Sequence, residues 1–147
     1  MHQRPIPLPD LSATRRLGAA LAAHAQPGDV IALWGDLGVG KSELARAFIQ
    51  SVLGPTEEVP SPTFTLVQTY DFPLAQVWHF DLYRLERPED AIELDIEEAF
   101  ASGICLIEWP ERLGPYLPAR RLDVRISLEG ATRHAVLTGW EERSLNV

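Results

Sequence analysis

Lysine is almost absent from this chain: of 13 basic residues, all but Lys41 are arginine. Asparagine occurs once, at Asn146, and cysteine once, at Cys105. A lone cysteine excludes an internal disulfide. Its setting, Ile104-Cys105-Leu106-Ile107, is that of a small buried residue. No stretch approaches the ~20 consecutive apolar residues that a bilayer-spanning helix needs. Met1-His2-Gln3-Arg4-Pro5 lacks the apolar run of a secretion signal. A reducing cytoplasm is therefore the expected compartment. Positive charge is also in deficit, with 21 acidic residues and a net charge of −8. Nucleic-acid backbones are bound largely through basic patches that release phosphate counterions, so direct binding of RNA or DNA is not the expected main task. The cluster Arg120, Arg121 and Arg125 reads more simply as a solvated strand face.

What is present suits a single α/β domain. The 147 residues, 46% of them hydrophobic, suffice for one substantial core. There is no repeat, no low-complexity tract and no linker long enough to divide the chain. Residues 1–9, with Pro5, Pro7 and Pro9, read as an extended lead-in. A helix is predicted over Ser12–Ala25, capped by Asp10 or Ser12 and closed by Pro27-Gly28. Asp29–Trp34 reads as a buried strand, and Lys41–Leu53 as an amphipathic helix that Gly54 stops. Phe64–Tyr70 and Gln76–Asp81 have the spacing of a hairpin. Pro88 to about Phe100 reads as mostly helical, with Gly103 as its end. Ile104–Glu108 is a short buried strand. Leu122–Leu128 and Ala135–Leu137, around Glu129-Gly130, form a second hairpin, and residues 141–147 are left as a tail. Buried strands alternating with helices predict a layered domain with a mixed sheet.

Gly35-Asp36-Leu37-Gly38-Val39-Gly40-Lys41-Ser42 matches the pattern G-x-x-x-x-G-K-[ST]. Glycines let backbone N–H groups approach phosphate oxygens with no Cβ in the way. The helix that follows aims the positive end of its dipole at the same point. The lysine reaches the β- and γ-phosphates, and the Ser42 hydroxyl ligates Mg²⁺. With Gly near ~7% of residues, chance supplies such a string in roughly one of a couple of hundred chains of this length. Here it also lies between a buried strand and an amphipathic helix, as the chemistry requires. In a chain that otherwise uses arginine, a lysine at position 41 suggests that only the compact ammonium group serves there.

Sites of this type place a carboxylate at the end of a neighbouring strand. Val77-Trp78-His79-Phe80-Asp81 and Ile104-Cys105-Leu106-Ile107-Glu108 both run apolar into an acid, and sequence alone does not rank Asp81 against Glu108. Ser61-Pro62-Thr63-Phe64 carries hydroxyls able to reach a metal or a γ-phosphate, as switch loops do; a plain Ser/Thr-Pro turn is the competing reading. His79 reads as a core or surface histidine rather than a ligand. The four tryptophans read as mostly core, with Trp109 placed beside Glu108 to line the site.

Together, Gly35-Asp36-Leu37-Gly38-x-Gly40-Lys41-Ser42, Ser61-Pro62-Thr63-Phe64, His79-x-Asp81-Leu82-Tyr83-Arg84 and Leu106-Ile107-Glu108-Trp109-Pro110-Glu111 resemble the bacterial TsaE (YjeE) family over about Thr14–Arg133. That family is the ATPase component of the machinery forming threonylcarbamoyladenosine in tRNA. The resemblance implies a P-loop NTPase-type domain with a mixed, mainly parallel sheet flanked by helices, plus antiparallel hairpins. It implies ATP hydrolysis, weak in isolation, that serves a complex of the TsaD and TsaB proteins, with tRNA met through that complex and the isolated chain a monomer. It places Ser42 and Glu108 in the Mg²⁺ shell, Asp81 near the metal or the attacking water, Thr63 in a switch-type role, and Thr14 and Arg133 beside the nucleotide. Two positions depart from the family's habit: Ser42 stands where Thr is common, and Val39 where a smaller residue is common.

Two other functions compete. A small-molecule or nucleotide kinase would need an acceptor pocket and usually an Arg-bearing lid, and no such segment stands out. A GTP-binding switch would read guanine through Asn-Lys-x-Asp, which is impossible when the only Asn is Asn146 and the only Lys is Lys41.

Overall fold

Strands that are apolar along their whole length must be covered on both faces, and the chain supplies a layer for each. The computed structural model describes residues 2–147. Within them, one seven-stranded sheet is formed by β1 (Gln3–Leu8), β2 (Val30–Trp34), β3 (Val67–Asp71), β4 (Gln76–Asp81), β5 (Ile104–Glu108), β6 (Leu122–Glu129) and β7 (Thr132–Thr138). Their order is β1-β7-β6-β2-β5-β4-β3. The four central strands, β6, β2, β5 and β4, are mutually parallel, and the outer strands join antiparallel.

Alternation along each strand sorts the side chains between two cores. Ile31, Leu33, Val77, Ile104 and Leu106 face α1 (Leu11–His24) and α2 (Lys41–Leu53), meeting Leu17, Leu21, Leu44, Phe48 and Ile49. Val30, Phe80, Cys105 and Ile107 face the opposite layer, where Ala91, Ile96, Ala99 and Leu113 pack. That second layer consists of α3 (Ile96–Ser102) and two 3₁₀ segments, Pro88–Leu94 and Pro110–Tyr116.

Local chemistry sets the boundaries. Asp10 caps α1 by accepting from the Ala13 N–H at 2.9 Å. α2 spans the predicted residues and ends at Gly54, whose N–H returns to the Gln50 carbonyl. The predicted helix over 88–100 is broken instead: Asp95 takes left-handed backbone (φ 59°, ψ 34°), a conformation Asp tolerates better than most residues, and separates a 3₁₀ turn from α3. The proline-rich start is extended and paired, with Pro5 opposite Val136 and Pro7 opposite His134. Prolines survive there because β1 is an edge strand, where a missing N–H can face away from the ladder. The last residues are tied down too. Arg143 pairs with Asp29 (2.7 and 3.1 Å), and Arg4 donates to the carbonyls of Gly139, Trp140 and Arg143.

α1 and α2 touch most closely at Gly18. A Cβ there would lie 2.7 Å from the Ala47 Cβ and 2.8 Å from the Phe48 backbone nitrogen. Alanine would gain about 1 kcal/mol of helix propensity. It would also force apart two helices held by backbone-fixed atoms, at a cost of about 1–3 kcal/mol. Gly18→Ala should therefore lower the urea unfolding midpoint; a midpoint at or above the wild-type value would contradict this packing.

Burial pushes the Cys105 thiol from its ordinary 9.0 up to about 12. A thiol-specific reagent at pH 8 should leave the native protein unlabelled and modify Cys105 only as fast as the chain unfolds. Between pH 9 and 12 the folded state retains a proton that the unfolded state has lost. Stability should accordingly fall as pH rises through that window, and fall less in Cys105→Ala.

Candidate functional site

Register brings the two acidic strand ends together. Leu33 lies opposite Glu108 across the β2–β5 pair, and Asp81 lies opposite Glu108 across β4–β5. Val77, His79 and Asp81 share one parity, and Ile104, Leu106 and Glu108 share another. Both sets face the α1–α2 side, so the carboxylates emerge beneath the start of α2. The loop from Gly35 to Gly40 leaves β2 at this same edge and turns directly into α2.

The loop requires glycine at two positions in particular. Gly35 has φ 147°, and a Cβ there would lie 2.6 Å from the Ile126 carbonyl oxygen. Gly40, at φ 118°, is the N-cap of α2 and supplies no side-chain cap. The first-turn N–H groups of α2 are thus left to an external acceptor, which favours an anion. Val39 points inward, 4% exposed, and anchors the loop in the core, whereas Leu37 is 73% exposed at its tip.

A cleft of about 290 Å³ opens at this edge. Glu108 is its hub. Ser42 Oγ donates to Glu108 Oε1 at 2.8 Å, and His79 Nε2 lies 2.6 Å from Glu108 Oε2. Asp81 has its own set of donors: the Tyr83 N–H at 3.1 Å on Oδ1, and Thr63 Oγ1 at 3.3 Å and Ser61 Oγ at 3.4 Å on Oδ2. Lys41 is buried. Its Nζ donates to the Gly35 carbonyl and lies 3.4 Å from the centre of the Trp109 ring. Burial lowers the Lys41 pKa below its ordinary 10.5, while the carboxylates of Glu108, Glu111, Asp81 and Asp36 oppose that shift. Trp109 itself sits in left-handed backbone (φ 60°, ψ 52°), strain of about 1–2 kcal/mol for a non-glycine residue, directly after Glu108.

The oxygens converging here, from Ser42, Ser61, Thr63, Asp81 and Glu108, are hard donors that suit Mg²⁺ better than a soft metal. Among the described residues, no three His, Cys, Asp or Glu side chains form a metal cage.

Of the residues singled out in the sequence, Leu37, Gly38, Gly40, Lys41, Ser42, Thr63, Asp81 and Glu108 line this cleft. Gly35 and Val39 support the loop from below, and Asp36 lies exposed on it. Thr14 and Arg133 do not reach the cleft. They line a separate recess of about 240 Å³ with Asp10 and Glu43. Arg133 pairs with Glu43 at 3.3 Å, and its guanidinium lies 3.3 Å from where a Gly40 Cβ would be, so the recess abuts the loop. His79 is the residue whose part sequence reasoning missed. The available signal was its shared parity with Asp81, a polar side chain set among apolar ones on the same strand face.

Residues 8–136 match the family described as "Threonylcarbamoyl adenosine biosynthesis protein TsaE". The chain is 41% identical over 115 residues to a Rickettsia bellii protein called tRNA threonylcarbamoyladenosine biosynthesis protein TsaE, covering 78% of this chain and 80% of the relative. Proteins of the same name from Bacillus subtilis and Haemophilus influenzae are 38% and 34% identical, over 80% and 95% of this chain and 73% and 92% of theirs. The crystal structure of Bacillus subtilis YdiB superposes with a TM-score of 0.79 at 30% identity, covering 97% of this chain and 88% of that one. On sequence and fold alike, this chain belongs to the TsaE family.

Proposed function

We propose that this chain is an ATPase that hydrolyses ATP with Mg²⁺ in support of the TsaB–TsaD complex, which forms threonylcarbamoyladenosine in tRNA. The observation carrying the proposal is the Ser42–Glu108 hydrogen bond set beneath the uncapped N-terminus of α2. That arrangement puts phosphate donors, a metal-binding hydroxyl and a carboxylate within one cleft.

Each residue then has a physical task. The N–H groups of the loop and of the first turn of α2 bind the phosphates, and Lys41 offsets the charge of the β- and γ-phosphates. To do so, its ammonium leaves the Gly35 carbonyl and the Trp109 ring for the cleft. Ser42 spends its proton on Glu108 and so turns its lone pairs outward, toward a cation. Ser42 and Glu108 would hold Mg²⁺, which when bound would supply positive charge against that developing on the phosphates. Asp81, held by Thr63, Ser61 and the Tyr83 N–H, is placed to orient the attacking water. Adenine is favoured over guanine because the chain cannot form Asn-Lys-x-Asp. Thr14 and Arg133, next to the loop, are placed to flank the nucleoside. Among the described residues, no helix is long and apolar enough to cross a membrane.

Lys41→Ala should lower ATP turnover by about tenfold or more in a steady-state phosphate-release assay, because the charge opposing the phosphates is lost. Unchanged turnover and affinity would remove the cleft from consideration. In the same assay, turnover by the wild type should be slow alone and should rise when the TsaB–TsaD pair is added; turnover indifferent to that pair would sink the assignment. The two carboxylates are separable by Mg²⁺ titration. Glu108→Ala, which strips Ser42 of its acceptor, should weaken Mg²⁺-dependent nucleotide binding more than Asp81→Ala does, and the reverse order would exchange their roles.

A further inference from the structure

His79 is 1% exposed, and the one hydrogen-bonding partner of its imidazole among the described residues is Glu108. Its other ring nitrogen, Nδ1, is buried without a protein partner. A carboxylate only accepts hydrogen bonds, so the 2.6 Å contact puts a proton on His79 Nε2. An imidazole kept in the core with one nitrogen unanswered carries a cost of its own, and what offsets it is the bond to the buried Glu108 carboxylate. Its placement makes sense through Glu108. The glutamate side chain has several rotatable bonds, and Lys41 and Asp81 lie close enough to bias its direction. With Oε2 held by His79, Oε1 is left facing Ser42.

We infer that His79 is a positioning residue: it fixes Glu108 in the orientation that takes the Ser42 proton and so leaves the Ser42 lone pairs for the metal. The chain of contacts runs His79–Glu108–Ser42, from β4 through β5 into the first turn of α2. This inference rests on the proposed metal role of Ser42 and Glu108.

The test is a Mg²⁺ titration of methylanthraniloyl-ADP binding, read by fluorescence and referenced to the affinity in EDTA. His79→Leu should keep the EDTA affinity within about twofold but raise the Mg²⁺ concentration for half-maximal enhancement by about tenfold; because it leaves Glu108 Oε2 buried without a donor, its melting temperature should fall. His79→Gln, whose amide nitrogen can take the place of Nε2, should restore the wild-type titration. His79→Asn, whose amide stops short of Glu108, should shift it as Leu does, and it serves if the Leu variant does not fold. In a Glu108→Gln background, His79→Leu should add no further shift. A His79→Leu titration within twofold of wild type, or an equal shift with and without Glu108→Gln, would overturn the inference while leaving the proposed function standing. Absence of any Mg²⁺ dependence in the wild type would overturn both.

Discussion

A carboxylate with 2% of its surface exposed must be answered from within the protein, and the answer given to Glu108 organises this domain. One oxygen is taken by α2 through Ser42 and the other by β4 through His79. The residue itself terminates β5, in register with Leu33 on β2 and Asp81 on β4. Three strands and a helix are therefore held in fixed relation at a single point, and that point is the floor of the cleft. Moving any of them by one residue along the sheet would turn Glu108 or Asp81 to the opposite face.

The sparing use of lysine fits the same picture. Arginine serves elsewhere in this chain as a planar fork, as where Arg143 grips Asp29 and Arg4 collects three carbonyls. Under the loop the compact ammonium of Lys41 lies between the Gly35 carbonyl and the face of Trp109. The left-handed backbone of Trp109 brings its ring to this position, so strain directly after Glu108 and concealment of Lys41 are linked.

The parts of the fold written in local chemistry were legible in the sequence. The loop and the full span of α2 follow from glycine placement and apolar spacing, and both acidic strand ends from apolar runs that stop at a carboxylate. Other parts depended on partners distant in the chain. Prolines at 5 and 7 argue against a strand until an edge beside β7 is available to receive them. The break at Asp95 turns on one residue's backbone choice within a helix-like pattern. The role of His79 needs the pairing of β4 with β5, a relation across 29 residues that alternation alone does not disclose. Thr14 and Arg133 are near the loop yet outside the main cleft, because β7 and α1 pass on its other side.

The pairing of β1 with β7 has a practical corollary. Gln3 lies beside Thr138, and Thr138 beside Asp123 near the start of β6, while Arg143 is bonded to Asp29 just ahead of β2. Arg4 bonded to the Arg143 carbonyl holds the two ends of the described chain within a side chain's length of each other. A version with its two ends joined and reopened at the exposed Gly130 turn could retain the sheet order, with the loop, α2 and β5 undisturbed.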